Sequence, residues 1–158
     1  MKSFKRIMLV VLAFILLFNL TSCNNNKYNA KVYSKVNDIV REEAFNNYNI
    51  NVEQGETSIR KNRTLIINNK ELYDEIFIDN SIECDFTTNI IYVYIYVSVY
   101  PSNEIKIVDI HNENDTVTIS FKDESGNMFV GSACEPYTRW IAVKMDKLDS
   151  NKVEFIRK

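Results

Sequence analysis

The fold is decided by one stretch of the chain, residues 90–100, which reads IIYVYIYVSVY. Its side chains alternate with a period of two, which is typical of a β-strand. One face of such a strand carries tyrosines, namely Tyr92, Tyr94, Tyr96 and Tyr100, and the other carries aliphatic residues, namely Val93, Ile95, Val97 and Val99. A strand with apolar bodies on both faces is typical of the interior of a sheet.

The tyrosine face has two interpretations. It is either an exposed amphipathic surface for a protein partner, of the kind that tyrosine-rich interfaces use, or it is buried under a helix that carries Leu72 and Phe77. We favour burial, because large exposed apolar patches are rare in monomeric proteins. Under the first interpretation, the four tyrosines are the partner-binding residues.

Shorter segments around this strand predict a mainly β protein of the α+β class. Residues 31–48 fit neither period cleanly, so a short strand or a helical turn is expected there. Asn68 and Glu71 match a capping box, which predicts a short helix over residues 69–77. Further strands are expected at residues 48–53, 63–67, 105–110, 117–121, 128–133, 140–145 and 153–156. Short strands separated by turn signals predict an antiparallel sandwich or rolled sheet with one short helix packed on a face.

The N-terminal residues have the organisation of a secretory signal peptide. Lys2, Lys5 and Arg6 form a basic region, and an apolar run follows over residues 7–18. That run is shorter than the ~20 residues that a membrane-spanning helix needs. The next segment, Leu20-Thr21-Ser22-Cys23, resembles the lipobox of bacterial lipoproteins. The resemblance implies cleavage before Cys23 and a diacylglycerol group on its thiol.

The lipobox divides the chain into three parts. Residues 1–22 are the signal peptide, residues 23–31 are the lipidated Cys23 with a polar tether, and residues 32–158 form a single globular β-rich domain. Two acyl chains suffice for stable anchoring, so we expect a protein held on the extracytoplasmic side of the cell membrane. Loss of three basic residues changes the net charge from −2 to −5. The mature domain therefore has no net attraction to anionic lipid.

Composition excludes several classes of function. The three glycines are too far apart to build a glycine-rich phosphate-binding loop. One histidine and three cysteines cannot supply a zinc site made of His and Cys, and the net charge offers nucleic acid no electropositive surface. We therefore expect no metal, no cofactor, no nucleic-acid partner and no catalytic residue. The single histidine, His111, lacks the sequence context of a catalytic triad and is expected at the surface.

Cys84 and Cys134 remain once Cys23 is acylated. Disulfides persist outside the membrane, so an even pair of cysteines favours a bridge between them. In the chain-entropy model, such a bridge would stabilise the fold by about 4 kcal/mol. Two separate thiols are the alternative, because a bridge requires the two Cα atoms to lie within about 7 Å.

Residues 65–155 resemble the C-terminal domain of the PrcB family, lipoproteins described as subunits of a surface protease complex. The resemblance rests on the order of short motifs, which are Thr64-Leu65-Ile66-Ile67, Lys70-Glu71-Leu72-Tyr73, Asp85-Phe86 before the long strand, Cys134-Glu135-Pro136-Tyr137 and residues 143–148. It implies a non-enzymatic role in holding a partner protein. Where the family has a Thr-Gly-Gly-Tyr-like turn, this chain has residues 101–104, Pro-Ser-Asn-Glu. An activity located in that turn is not expected in this chain.

The anchor and the resemblance together predict a non-catalytic surface lipoprotein that binds or stabilises another protein, with a surface protease as the implied partner. A second interpretation is a protease inhibitor that inserts hairpin loops, residues 101–104 and 123–127, into an active-site cleft. An enzyme that uses the scattered carboxylates is a third interpretation, which no motif favours.

Substitution of Cys23→Ser is expected to abolish lipid attachment, because the Cys23 thiol is the group that a lipobox presents for acylation. Metabolic labelling with a fatty acid measures the attachment, and the variant should accumulate as an uncleaved precursor. Cys134→Ser is the matched control and should be labelled like the wild-type chain. Labelling of the Cys23→Ser variant would contradict the lipoprotein assignment.

Overall fold

A computed structural model describes residues 28–50, 62–78, 81–98, 104–124 and 137–158. The strands within these residues are β1 (Lys31–Tyr33), β2 (Asn62–Ile67), β3 (Asn89–Ser98), β4 (Glu104–Glu113), β5 (Thr116–Glu124), β6 (Tyr137–Asp146) and β7 (Lys152–Arg157). A 3-10 helix spans Val36–Ile39, and two α-helices follow it, α1 (Glu42–Tyr48) and α2 (Lys70–Ile76). The protein is a β-rich α+β sandwich, which confirms the predicted fold class.

β3 is an interior strand of the first sheet, which is antiparallel and has the order β1-β6-β3-β2. Along β3, pairing with β6 runs from Asn89 opposite Asp146 to Ser98 opposite Tyr137. Its other edge pairs with β2 over residues 91–96. The interior position agrees with the two apolar faces of this strand.

The second sheet has three strands in the order β4-β5-β7. β4 and β5 form a hairpin whose turn residues, Asn114 and Asp115, have φ of 51° and 62°. These two residue types tolerate the left-handed region better than most others. β5 and β7 run parallel, which corrects the expectation of a wholly antiparallel sandwich. The parallel pairing is possible because the chain crosses to the first sheet as β6 before it returns as β7.

The second sheet covers the tyrosine face of β3. Tyr92 and Tyr96 are 0% and 4% exposed, and Tyr94 is half-buried. The Tyr94 ring stacks on Phe155 with a centroid distance of 4.8 Å and meets the ring of Phe121 edge-on at 5.8 Å. The tyrosine face is therefore covered, as expected, but a sheet covers it instead of the predicted helix.

The helices lie on the opposite, aliphatic face of β3. Phe77 is fully buried in one cluster with Val93 and with Trp140 of β6. Phe45 of α1 stacks on the Trp140 ring at 6.1 Å, and Tyr48 meets that ring edge-on at 6.3 Å. The predicted helix is thus present, but its assignment to the tyrosine face was wrong. Strand periodicity shows that both faces need cover, and it carries no information about which element supplies it.

Two local expectations about the helices are corrected. α2 is capped by Asn69 and not by Asn68, because the Asn69 backbone is extended and its Oδ1 accepts a hydrogen bond from Leu72 N at 2.8 Å. α1 ends at Tyr48, so residues 48–50 do not begin a strand. The rest of the strand predicted at residues 48–53, and the strand predicted at residues 128–133, lie outside the described residues.

A side chain takes the place of a neighbouring strand along part of β6. β1 pairs only with residues 142–144 of β6. Further along, the Asn37 amide nitrogen donates to the Thr138 carbonyl oxygen at 2.9 Å, and the Asn37 Oδ1 accepts from Trp140 N at 3.0 Å. A residue of a neighbouring parallel strand would make the same two hydrogen bonds, because it too bonds to the carbonyl oxygen and the N–H that flank one residue of its partner. The Asn37 side chain therefore closes this edge of the first sheet.

Tyr92→Phe is expected to raise the free energy of unfolding by about 1 kcal/mol, because the buried Tyr92 hydroxyl has no hydrogen-bond partner. Tyr73→Phe is the matched control. The Tyr73 hydroxyl accepts a hydrogen bond from the buried Ile82 N–H at 2.8 Å, so its removal should lower the free energy of unfolding by about 1–3 kcal/mol. Urea denaturation measures both changes. A clear loss of stability in Tyr92→Phe would show that a buried water binds this hydroxyl.

The Tyr92→Phe variant is expected to unfold less readily in alkali than the wild-type chain. Burial raises the pKa of Tyr92 to about 12, above the value of about 10 in an unfolded chain. The folded state therefore loses stability as the pH rises from about 10 to about 12, and Tyr92→Phe should lose less over that range. Urea midpoints measured across these pH values test the difference.

Candidate functional site

The strands of both sheets run between two ends of the sandwich. The Asp146 end comprises residues 28–31, 68–70, 83–89, 113–116 and 146–151. The described part of the Ser98 end comprises residues 50, 62, 98, 104, 124 and 137. Core contacts align the two sheets, because Ile105 packs with Tyr96 and Ile110 packs with Ile90. Nine residue steps along β6, each of ~3.3 Å, separate the two ends by ~30 Å.

The N-terminal segment joins the fold at the Asp146 end. Asp146 N donates to the Tyr28 carbonyl oxygen at 2.9 Å, and the Asn29 amide donates to the Asp146 carboxylate at 2.7 Å. Tyr28, Ala30 and Val32 pack against the core cluster between the two sheets. Residues 28–31, which the sequence analysis places in the tether, are therefore packed on the domain.

A turn at Asp85 sets the start of β3 at the same end. The Asp85 carboxylate accepts hydrogen bonds from Thr87 N at 2.9 Å, from the Thr87 hydroxyl at 2.6 Å and from the Thr88 hydroxyl at 3.2 Å. The Thr87 hydroxyl contributes most to a lowered pKa of this carboxyl. Lys147 N donates to the Thr88 carbonyl oxygen at 2.8 Å. These contacts tie the loop before β3 to the loop after β6.

A cleft of about 440 Å³ opens between α2 and the loop before β3. Its lining residues are Lys70, Tyr73, Ile82, Glu83, Cys84 and Phe86. Lys70 forms an ion pair with Asp74, and its Nζ lies 4.9 Å from the centre of the Tyr73 ring. The cleft thus has aromatic walls, and its cation, Lys70, is already paired with Asp74.

A second cleft, of about 340 Å³, lies on the other side of the first sheet at the same end. Its lining residues are Ile66, Asn68, Ile90, Lys147, Leu148, Asp149, Ser150 and Asn151. The loop that forms it is held by the β4–β5 turn, since the Ser150 hydroxyl donates to the Asp115 carbonyl oxygen at 2.7 Å and Asn151 N donates to the Asp115 carboxylate at 3.1 Å. The Asp146 end is therefore a set of short, mutually bonded turns.

Of the three cysteines with predicted roles, the structure describes only Cys84. Cys23 and Cys134 lie outside the described residues, and Cys84 is a free thiol. Lys144 of β6 lies beside Cys84, and its Nζ donates to the Glu83 carbonyl oxygen at 2.9 Å. Cys134 precedes Tyr137, which lies at the Ser98 end. A bridge would therefore require residues 134–136 to run back along β6 towards Lys144, and it stays a prediction.

Of the four tyrosines predicted as partner-binding residues, the three that the structure describes do not form an accessible surface. Tyr92, Tyr94 and Tyr96 lie between the two sheets, with Tyr94 half-buried, and Tyr100 lies outside the described residues. The structure therefore favours the covered interpretation of this face.

His111 lies on the surface, as predicted. Its Nδ1 is 3.3 Å from the Asp109 carboxylate, and both side chains are about half exposed. In the described part of the chain, no group of three or more His, Cys, Asp or Glu residues is placed to hold a metal ion. None of the described helices has the length and apolarity that a membrane span requires.

Sequence reasoning missed the role of Asp146 and the packing of residues 28–31. A signal was present, because Tyr28, Ala30 and Val32 alternate with polar residues as in a half-buried strand. The two hydrogen bonds that Asn37 makes with β6 had no such signal in the sequence. Its amide bonds to β6 residues that lie far away in sequence, and an asparagine after a short strand is also typical of a plain turn.

Comparison of the chain with family models, with curated proteins and with solved structures finds no match. The lipobox assignment and the PrcB-like interpretation therefore stay predictions from the sequence.

The Cys84 thiol is expected to react slowly with iodoacetamide. Burial raises its pKa, with Lys144 opposing the shift, and only the thiolate is a good nucleophile. In residues 24–158 carrying Cys134→Ser, Cys84 is the sole thiol, and its alkylation at pH 8 should be several-fold slower than in the urea-unfolded chain. Equal rates would contradict the burial of this thiol.

The predicted disulfide between Cys84 and Cys134 is tested on residues 24–158 with both cysteines present. The unreduced protein is alkylated and analysed by mass spectrometry. Alkylation of both Cys84 and Cys134 would exclude it, and alkylation of neither would support it.

Proposed function

We propose that the chain is a surface lipoprotein, anchored through Cys23 on the extracytoplasmic side of the cell membrane, which binds or stabilises a partner protein and does not itself catalyse a reaction. The observation that supports this proposal best is that the two ends of the sandwich differ, because the N-terminal segment joins the fold at only one of them. The segment that follows the predicted lipobox enters at the Asp146 end, through the hydrogen bonds of Tyr28 and Asn29 with Asp146.

Three connections of the chain start from the other end of the sandwich. Segments 51–61, 99–103 and 125–136 each join elements whose described ends lie at the Ser98 end. Thr138 donates to the Ile50 carbonyl oxygen, Asn62 pairs with Tyr96, and Ser98 pairs with Tyr137. Functional contacts of proteins are concentrated on connecting segments that a rigid scaffold positions. We therefore propose that the partner contacts the Ser98 end.

Tyr137 is the described residue that suits such a contact best. Its side chain is 36% exposed at the first residue of β6, and tyrosine is enriched in protein interfaces. The resemblance to the PrcB family supplies the class of partner, a surface protease. A role in holding that protease agrees with the slow chemistry expected of Cys84 and with the exposed position of His111.

Protease inhibition is the second candidate function, and one pairing favours it. Glu104 lies opposite Glu124 in the β4–β5 hairpin, so the described ends of the two predicted inhibitory loops, residues 101–104 and 123–127, are adjacent. An inhibitor of this kind presents neighbouring loops to one active-site cleft. The remaining residues of both loops lie outside the described part of the chain.

Photo-crosslinking on intact cells tests the position of the partner. The variant Tyr137→p-benzoylphenylalanine should crosslink to a protein, whereas Ile78→p-benzoylphenylalanine should not. Ile78 is a matched control, because it is a large apolar residue that is 49% exposed in the helical layer. Equal crosslinking from both positions would contradict a partner at the Ser98 end, and no crosslinking from either would contradict partner binding.

An assay of the crosslinked partner separates the two candidate functions. If it is a protease, added residues 24–158 should lengthen its active lifetime without lowering its turnover. A lowered turnover would instead identify the chain as an inhibitor.

A further inference from the structure

We propose that the Asp146 end is the surface that rests on the membrane, with the lipid headgroups as its occupant, and that the Ser98 end points away from the bilayer. This inference rests on the proposed lipid anchor at Cys23. It adds an orientation to the anchor, and so it determines which residues of the domain meet the lipid.

The length of the anchoring segment limits where the domain can sit. An acylated Cys23 lies at the bilayer surface, because its acyl chains are embedded in the membrane. Five residue steps lead from Cys23 to Tyr28, and a fully extended chain spans at most ~3.6 Å per step. Tyr28 therefore stays within ~18 Å of the point of attachment.

Tyr28 is fixed to the domain, so this limit applies to the whole Asp146 end. The Tyr28 carbonyl oxygen and the Asn29 amide both bind Asp146, the last residue of β6. In an inverted orientation, with the Ser98 end on the lipid, the length of β6 would raise Tyr28 by ~30 Å. That height exceeds the reach of the anchoring segment, so the inverted orientation is excluded.

Charge gives neither broad face of the sandwich an advantage for contact with anionic lipid. The helical layer exposes carboxylates on all three of its helices, at Asp38, Glu42, Glu43, Glu71 and Glu75. An anionic bilayer repels such a face. The outer face of the second sheet is of mixed charge, since the exposed Lys106 and Lys122 lie on the same strands as the exposed Asp109 and Glu113.

The Asp146 end offers hydrogen-bond donors to a headgroup layer. It exposes the side chains of Asn29, Lys147 and Asn151, whose amide and ammonium groups can donate to headgroup phosphates. Its carboxylates at Asp85 and Asp115 accept hydrogen bonds from Thr87 and Asn151, and Asp146 accepts one from Asn29. The exposed Glu83, Glu113 and Asp149 lie at the same end, so the charge of this end is mixed, and it is the short anchoring segment that places this end at the bilayer.

Quenching of a single fluorophore by labelled lipid tests the orientation. The full chain carrying Cys84→Ser and Cys134→Ser is produced in its lipidated form. It is then reconstituted in vesicles of phosphatidylethanolamine and phosphatidylglycerol that contain a nitroxide-headgroup lipid. One cysteine is added for labelling, as Asp149→Cys at the Asp146 end, Glu43→Cys on the helical face or Lys122→Cys near the Ser98 end. All three positions are exposed.

The label at Asp149 should be quenched several-fold more strongly than the labels at Glu43 and Lys122. Equal quenching at Asp149 and Glu43 would show a domain lying on its side, and the absence of quenching at all three would show a domain held off the lipid. Either result on a protein whose mass shows acylation overturns the orientation and leaves the anchor standing. A chain that is not acylated and does not float with the vesicles overturns both.

Discussion

A strand that is apolar on both faces must be covered twice, and β3 imposes this requirement on the rest of the chain. Its aliphatic face is buried by α1, α2 and the 3-10 helix, in a cluster that includes Trp140. Its tyrosine face is buried by the second sheet. Full burial of each large apolar side chain contributes about 1.5–3 kcal/mol. The three layers of the protein, helices on one sheet and that sheet on another, follow from this single constraint.

The sequence was sufficient for the features that are encoded locally. The alternation in residues 90–100 predicted β3, and the capping-box pattern of Asn68 and Glu71 predicted the helix α2. The cover of each face could not be predicted in this way. Tyr94 meets Phe155, and Phe77 packs with Val93, through contacts between residues far apart in the chain. Such contacts depend on topology, and the parallel pairing of β5 with β7 is a topological choice that no local pattern encodes.

The candidate site was less predictable than the fold, for the same reason. The sequence predicts an anchor at Cys23, but it does not predict where the segment after Cys23 meets the domain. That place is fixed by two hydrogen bonds between residues 28–29 and Asp146, which join the beginning of the domain to the end of its penultimate strand. One wall of the cleft beside α2 is likewise held by a tertiary contact, the hydrogen bond from Ile82 N to the Tyr73 hydroxyl. What the structure adds to the sequence is the place where the N-terminal segment joins the domain, at Asp146.

The hydrogen bonds by which Asn37 closes the edge of β6 affect how neighbouring copies of the protein can associate. Unpaired strand edges are templates on which other chains assemble. Molecules confined to a surface by lipid meet one another in two dimensions, where their effective concentration is far higher than in free solution. An open edge along residues 137–141 of β6 would then favour lateral association of neighbouring copies. By occupying the Thr138 carbonyl oxygen and the Trp140 N–H, one amide side chain keeps these two groups from pairing with a strand of another copy.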